Sequence, residues 1–335
     1  MKALHAKTLL ACMLMTLVTL TGCEKNMSSD STGTGSATSS KEYIPVNLTF
    51  FDVSTEDVQT PVDGRAGGEN TDTDDEPSDL KKDNYFTQLS VAIFPLSGAG
   101  ETRQFYQTRE QEDFGKLKLS LPIGKYQMVA VAYKGSDAVK IEGERLVTFP
   151  NQKVTDMVAF NKTIEISKTT ETFACGMQRI IAAFTLTSTD PSPATVVAVR
   201  GTFLSHCGYQ YDPATTLTSS SREYSSIINL NPDNVGKKRT MTFYTLLDKI
   251  SQDDVKITIE LLDKNDNVLN RLDFQDVLLT QGKRTTYTGN LFSGDGVIEF
   301  VPNAKDDHDI PSSGGDKNFD MPRDITTDTH SYAIY

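Results

Sequence analysis

Leu121-Pro122-Ile123-Gly124-Lys125-Tyr126-Gln127-Met128-Val129-Ala130-Val131-Ala132-Tyr133 is the stretch on which the fold of this chain turns. Pro122 and Gly124 supply a turn, one through its fixed φ and the other through its conformational freedom. Beyond the turn, successive side chains of an extended chain point to opposite faces. Tyr126, Met128, Ala130 and Ala132 then share one face, and Gln127, Val129, Val131 and Tyr133 the other. Both faces are apolar past Gln127. A strand of this kind belongs inside a sandwich, with contacts on both sides.

Strand-like segments recur on either side of it. Upstream lie Val46 to Val53, Phe86 to Phe94, Phe105 to Gln107 and Gly115 to Leu121. Val154 to Ile166 closes the first half. Downstream the style repeats in Met177 to Thr187, whose start could also be a short helix. Val196 to Phe203, Ser225 to Leu230, Arg239 to Leu247, Val255 to Leu261, Val268 to Phe274 and Lys283 to Phe292 follow. Short turns between strands, with no helical period, indicate an all-β chain built as β-sandwiches. Residues 54–83 form a long polar loop, a length that points to function or disorder.

The N-terminus sets the address. Lys2 and Lys7 precede an apolar run from Leu9 to Leu20 that is too short for a permanent membrane helix. Thr21, Gly22 and Cys23 follow, and then a polar, Ser-rich segment. A positive start, an apolar centre and small residues at the cut describe a secretory signal. The Cys at the cut makes it resemble a bacterial lipoprotein signal. A thiol there can take a diacylglycerol through a thioether, and the freed amine can then be acylated. At roughly 0.8 kcal/mol per buried CH2, several chains make a firm anchor. A plain secretory signal with an incidental Cys is the other reading. The chain thus divides into a signal (1–22), a flexible tether (23–41), an N-terminal sandwich (42–166), a C-terminal sandwich (167–300) and a polar tail (301–335).

Charge excludes some partners. The net charge is −12, and loss of Lys2 and Lys7 with the signal takes it to −14. Nucleic acid needs a basic face, so it is not an expected partner. Docking of the protein surface on anionic lipid is disfavoured for the same reason. Membrane contact is then through Cys23 alone.

Chemistry is sparse. Of four Cys, Cys12 leaves with the signal and Cys23 would carry lipid. Cys175 and Cys207 remain, in an exported chain where disulfides persist. A bridge between them would close a loop of roughly 30 residues and add about 3–4 kcal/mol if unstrained; two buried free thiols are the alternative. His206, His308 and His330 fall in no metal-ligand spacing, and no nucleophile elbow, Walker loop or dinucleotide fingerprint occurs. His206 beside Cys207 suggests a thiol–imidazole pair, but adjacent strand residues face opposite sides. The run Asp72 to Glu76 lacks the spaced oxygen ligands of a calcium loop. Asp263-Lys264-Asn265-Asp266-Asn267 begins like one, yet has no Gly at its sixth position and Phe274 at its twelfth; it reads as a hairpin turn. No metal, no cofactor and no enzymatic activity are expected.

Three motifs together resemble the Bacteroidales fimbrillins, and within them the fimbrial anchor-subunit branch. They are Leu20-Thr21-Gly22-Cys23, Leu121 to Tyr126 ahead of an apolar strand, and Lys283-Arg284-Thr285-Thr286-Tyr287-Thr288-Gly289-Asn290-Leu291-Phe292. The resemblance implies two tandem transthyretin-like sandwiches and assembly with other fimbrial subunits by β-strand exchange. In stalk subunits of that family a trypsin-like protease cuts after a basic residue past the first strand; anchor subunits keep their lipid. Arg65 lies where such a cut would fall, and is otherwise an ordinary loop Arg. The expected function is therefore a structural subunit of a cell-surface fimbrium, held on the outer membrane through Cys23 and supporting adhesion. The alternative is a surface lipoprotein that binds glycan or protein in a nutrient-uptake system. The absence of Trp from the chain weakens a sugar-stacking surface, although Tyr can stack too.

Overall fold

A computed structural model describes residues 42–53, 79–82, 85–97, 100–170, 172–293, 301–302 and 308–309. The signal, the tether with Cys23, the acidic run 72–76, Arg65, His330 and most of the tail lie outside the described residues.

In chain order the strands begin with β1 (Tyr43–Asp52), β2 (Gln88–Ser97), β3 (Arg103–Thr108), β4 (Lys116–Pro122) and β5 (Gly124–Tyr133). Next are β6 (Lys140–Gly143), β7 (Leu146–Thr148), β8 (Met157–Ile166) and β9 (Thr172–Arg179). The later ones are β10 (Ala182–Ser188), β11 (Ala198–Phe203), β12 (Cys207–Gly208), β13 (Gln210–Asp212), β14 (Leu217–Thr218) and β15 (Tyr224–Asn229). The series ends with β16 (Thr240–Leu247), β17 (Ser251–Leu262), β18 (Val268–Thr280), β19 (Lys283–Gly289), β20 (Val301–Pro302) and β21 (His308–Asp309).

Seven strands of the first half pair in the order β3-β2-β5-β8-β9-β1-β4. The β8–β9 contact rests on two residue pairs, Val158 with Arg179 and Ala159 with Gln178. At that corner the sheet folds back, and its two wings enclose one core. Ile44, Val46, Leu48 and Phe50 of β1 meet Leu89, Val91 and Ile93 of β2 and Met128, Ala130 and Ala132 of β5 there. The opposite face of β5 is buried as well: Val129, Val131 and Tyr133 join the core that continues into the second half. The two-sided burial expected of this strand is therefore present. Gly124 opens β5 because a Cβ there would lie 2.7 Å from the carbonyl oxygen of Ser97.

The second half repeats the plan. β16-β10-β19 matches β4-β1-β9, and β15-β11-β17-β18 matches β3-β2-β5-β8. Directions agree too: the first strand is antiparallel to the fourth and parallel to the last in both halves. This is the transthyretin-like arrangement, twice in one chain. A small sheet, β14-β13-β7-β6, takes two strands from each half. Bonds from Arg145 to Asp212 and from the Asn161 amide of β8 to the Pro213 carbonyl (2.6 Å) also join the halves.

Four expectations need correction. Met177 to Thr187 is not one strand with a helical start but two strands, parted at Ile180 and Ile181. β9 pairs with β1, so the first sandwich runs on to Arg179 rather than stopping at residue 166. The long loop does not stay polar to residue 83: a four-residue helix, α1 (Asp79–Lys82), places Leu80 in the first core. Cys175 and Cys207 are not bridged; both are free and buried, one in each core cluster.

Candidate functional site: the first strand

β1 is the element that joins the folded body to everything N-terminal of it. Its inward row is Ile44, Val46, Leu48, Phe50 and Asp52, each buried, with partly or fully exposed residues between them. The four apolar members contribute about 1.5–3 kcal/mol each by burial. Pairing adds hydrogen bonds on both edges. Tyr43 to Thr49 run antiparallel to β4, and Asn47 to Asp52 run parallel to β9. Asn47, Leu48 and Thr49 are flanked on both sides at once. β1 is thus an interior strand, with no free edge over its middle.

The fifth inward residue is a carboxylate, and it has a buried cation to face. Arg179, the last residue of β9, holds Asp156 through Nε at 2.7 Å and Nη2 at 3.1 Å, and lies 3.9 Å from Asp52. The Tyr85 hydroxyl donates to the second oxygen of Asp156. The side chains of Arg179, Asp156 and Asp52 are all at most 4% exposed. Burial alone would lower the Arg179 pKa, but Asp156 and Asp52 outweigh it and hold the guanidinium above its ordinary value. Burial, reinforced by the Asp156 charge, pushes the Tyr85 phenol well up. Tyr85 therefore stays a neutral donor.

The second sandwich has a counterpart at the matching place. Asp190, two residues past β10, accepts the backbone N–H groups of Leu291, Phe292 and Ser293 at 2.8, 2.7 and 2.6 Å. Burial acts to raise its pKa, but those three donors outweigh burial and keep the carboxyl below its ordinary value.

Other residues singled out in the sequence take structural places. Burial pushes both the Cys175 and Cys207 thiols up to about 12, which leaves them unreactive at neutral pH. His206 does not pair with Cys207; its ring nitrogens lie 3.1 Å from Asp248 and 3.3 Å from Asp254. The Asp263 carboxylate accepts from the N–H groups of Asn265 and Asn267, and so closes a hairpin turn. No group of His, Cys, Asp and Glu suited to a metal ion occurs among the described residues. None of their helices is long and apolar enough to cross a membrane. The buried Arg179 cluster was not singled out from sequence. Its signal is a lone Arg inside the apolar run Met177 to Phe184.

No known family profile matches the chain, and neither does any curated protein. Solved structures do. The chain is similar to the fimbrial anchor protein Mfa2 from Porphyromonas gingivalis, at 12% identity and a TM-score of 0.39 over 80% of this chain and 100% of that one. A fimbrial assembly protein from Parabacteroides distasonis aligns at 13% identity and a TM-score of 0.38, over 78% and 96%. A candidate polysaccharide-binding protein from Bacteroides thetaiotaomicron aligns at 11% and 0.44, over 80% and 98%.

Proposed function

We propose that this protein is a non-enzymatic subunit of a cell-surface fimbrium that anchors the fibre in the outer membrane through lipid on Cys23, and so supports adhesion. The observation that carries the reading is the setting of β1. The chain passes from Cys23 through the Ser-rich segment straight into a strand paired on both edges and ended by a buried carboxylate. Lipid at Cys23 is then covalently continuous with the core of the folded body. Other subunits join by strand exchange, in which main-chain hydrogen bonds give affinity and alternate side chains give specificity.

In an anchor, Arg65 stays uncut. N-terminal sequencing and intact mass of the protein from native outer membranes test this. A lipidated Cys23 terminus is the expected result, and a mature terminus at Ala66 overturns the anchoring role in favour of a stalk or tip subunit. Deletion of the gene should leave fibres shed or absent in electron micrographs; fibres of normal number and attachment would refute a fimbrial role.

A further inference from the structure

The first sandwich carries an uncovered apolar surface at the pole where the chain enters β1. Four segments meet there: the start of β1, the end of β2, the turn from β4 into β5, and the turn after β8. Tyr43 pairs with Pro122, Ser97 pairs with Lys125 and stands against Gly124, and Lys168 reaches Glu42 at 3.1 Å. On these segments Tyr43, Leu96 and Ile123 are 51%, 47% and 40% exposed. Among the described residues of the first sandwich, Tyr106 is the one other large apolar side chain so exposed, and its hydroxyl is engaged by Gln88. Single exposed apolar residues are ordinary, but three on adjoining turns of one pole form a patch. The Arg103 guanidinium lies 6.0 Å over the Tyr43 ring and donates to the Ser120 carbonyl at 2.8 Å, which holds the ring at this pole.

We infer that this pole rests on the surface of a lipid bilayer, with Tyr43, Leu96 and Ile123 entering the boundary between headgroups and acyl chains. The chemistry suits that boundary. A Tyr has an apolar ring and a polar tip, the pairing favoured at membrane interfaces, and Leu96 and Ile123 offer apolar side chains to the acyl region. Charge does not oppose the contact. Segments 41–45, 95–103, 120–126 and 164–172 hold four cations and four carboxylates, so the pole is neutral on a mature chain of −14. The contact rests on the proposed lipid at Cys23, which brings the bilayer within reach. Cys23 lies 20 residues before Tyr43, and a chain of that length spans at most about 70 Å. A contact too weak to hold a free protein is populated when its surface is tethered this close. The patch thus adds a second membrane contact to the one expected through Cys23.

The mature chain from Cys23 onward, joined through that thiol to a maleimide lipid in phosphatidylcholine vesicles, tests this. Cys175 and Cys207 are buried and stay out of the coupling. The coupling supplies an anchor at residue 23 whether or not the native protein carries one, so the result is independent of the terminal mass that tests the anchoring role. The chain has no Trp, and a single introduced Trp reports its own depth. Ile123→Trp should be quenched about twofold or more by lipids brominated in the upper acyl chain, the depth that interfacial apolar side chains reach. Val268→Trp, at a 46% exposed position of the second sandwich, should be quenched far less. Equal quenching at the two positions, or none at Ile123→Trp, overturns the proposal. Adding Tyr43→Ser and Leu96→Ser to Ile123→Trp should cut its quenching by about half or more, since most of the apolar area is then gone. Unchanged quenching would mean that the reporter enters the bilayer by itself, and also overturns the proposal.

Discussion

The two sandwiches share one strand order and secure it by different chemistry. In each, the first and last strands run parallel, so their C-terminal ends lie together. A carboxylate stands at that meeting in both. In the first sandwich Asp52 reaches the last strand through the buried guanidinium of Arg179. In the second, Asp190 takes three backbone N–H groups directly, with no cation between. The connections differ in the same sense. Residues 53–87 separate β1 from β2, whereas only 189–197 separate β10 from β11. A first strand on a long connection needs a hold beyond its own covalent neighbours, and a buried ion cluster supplies one. A first strand on a short connection is placed by its turn, and a backbone clamp is enough.

That contrast can be broken at its strongest point first. Arg179→Ala leaves Asp52 and Asp156 buried without their cation, and should cost about 3–5 kcal/mol in urea denaturation. A loss under 1 kcal/mol would mean that the cluster is already wet. Asp190→Ala orphans three N–H groups in a half-buried turn and should cost about 1–3 kcal/mol, with faster exchange at Leu291 to Ser293 as the local signature. Gly201→Ala probes the second sandwich without touching either carboxylate. Its Cβ would meet the Phe243 ring at 2.7 Å, and overpacking of this kind costs about 1–3 kcal/mol.

Acid tests the second clamp. The folded pKa of Asp190 is lowered, so its contribution is complete above the unfolded carboxyl value, about 3.9, and is lost as pH falls through the folded one. The stability gap between parent and Asp190→Asn should therefore narrow on going from pH 6 to acid, measured by thermal unfolding at each pH. A constant gap would show that the carboxylate charge is not what the N–H groups hold. The smallest effect is expected at the exposed pair Lys125–Glu165, 3.6 Å apart, where Lys125→Ala should change stability by no more than about 0.5 kcal/mol.

The alternation of apolar residues was enough to find most of the long strands, because a period of two is a local property. Leu121 to Tyr133 shows how far this goes, since its two apolar faces already imply the double burial observed. What stayed hidden is non-local. β6, β7, β13 and β14 are two to four residues long and exist because strands from the two halves pair with each other. No window of sequence carries that. Ile180 and Ile181 read as the middle of a strand because a buried joint and a buried strand demand the same apolar side chains. Cys175 and Cys207 could be paired on paper because spacing says nothing of which core each thiol enters. Asp52 is one polar residue inside the stretch Val46 to Val53, and nothing local marks it; its worth depends on Arg179, more than a hundred residues away.

The double pairing of β1 has a mechanical consequence. A pull on Tyr43 along the strand axis loads the β4 and β9 ladders in shear, so their hydrogen bonds must yield together. A pull across the sheet would part them one by one. Resistance to force is a matter of the barrier to unfolding rather than of equilibrium stability. A strand gripped along both edges and entered at its N-terminal end is therefore oriented to carry tension into the first sandwich, whatever is fastened at the far side.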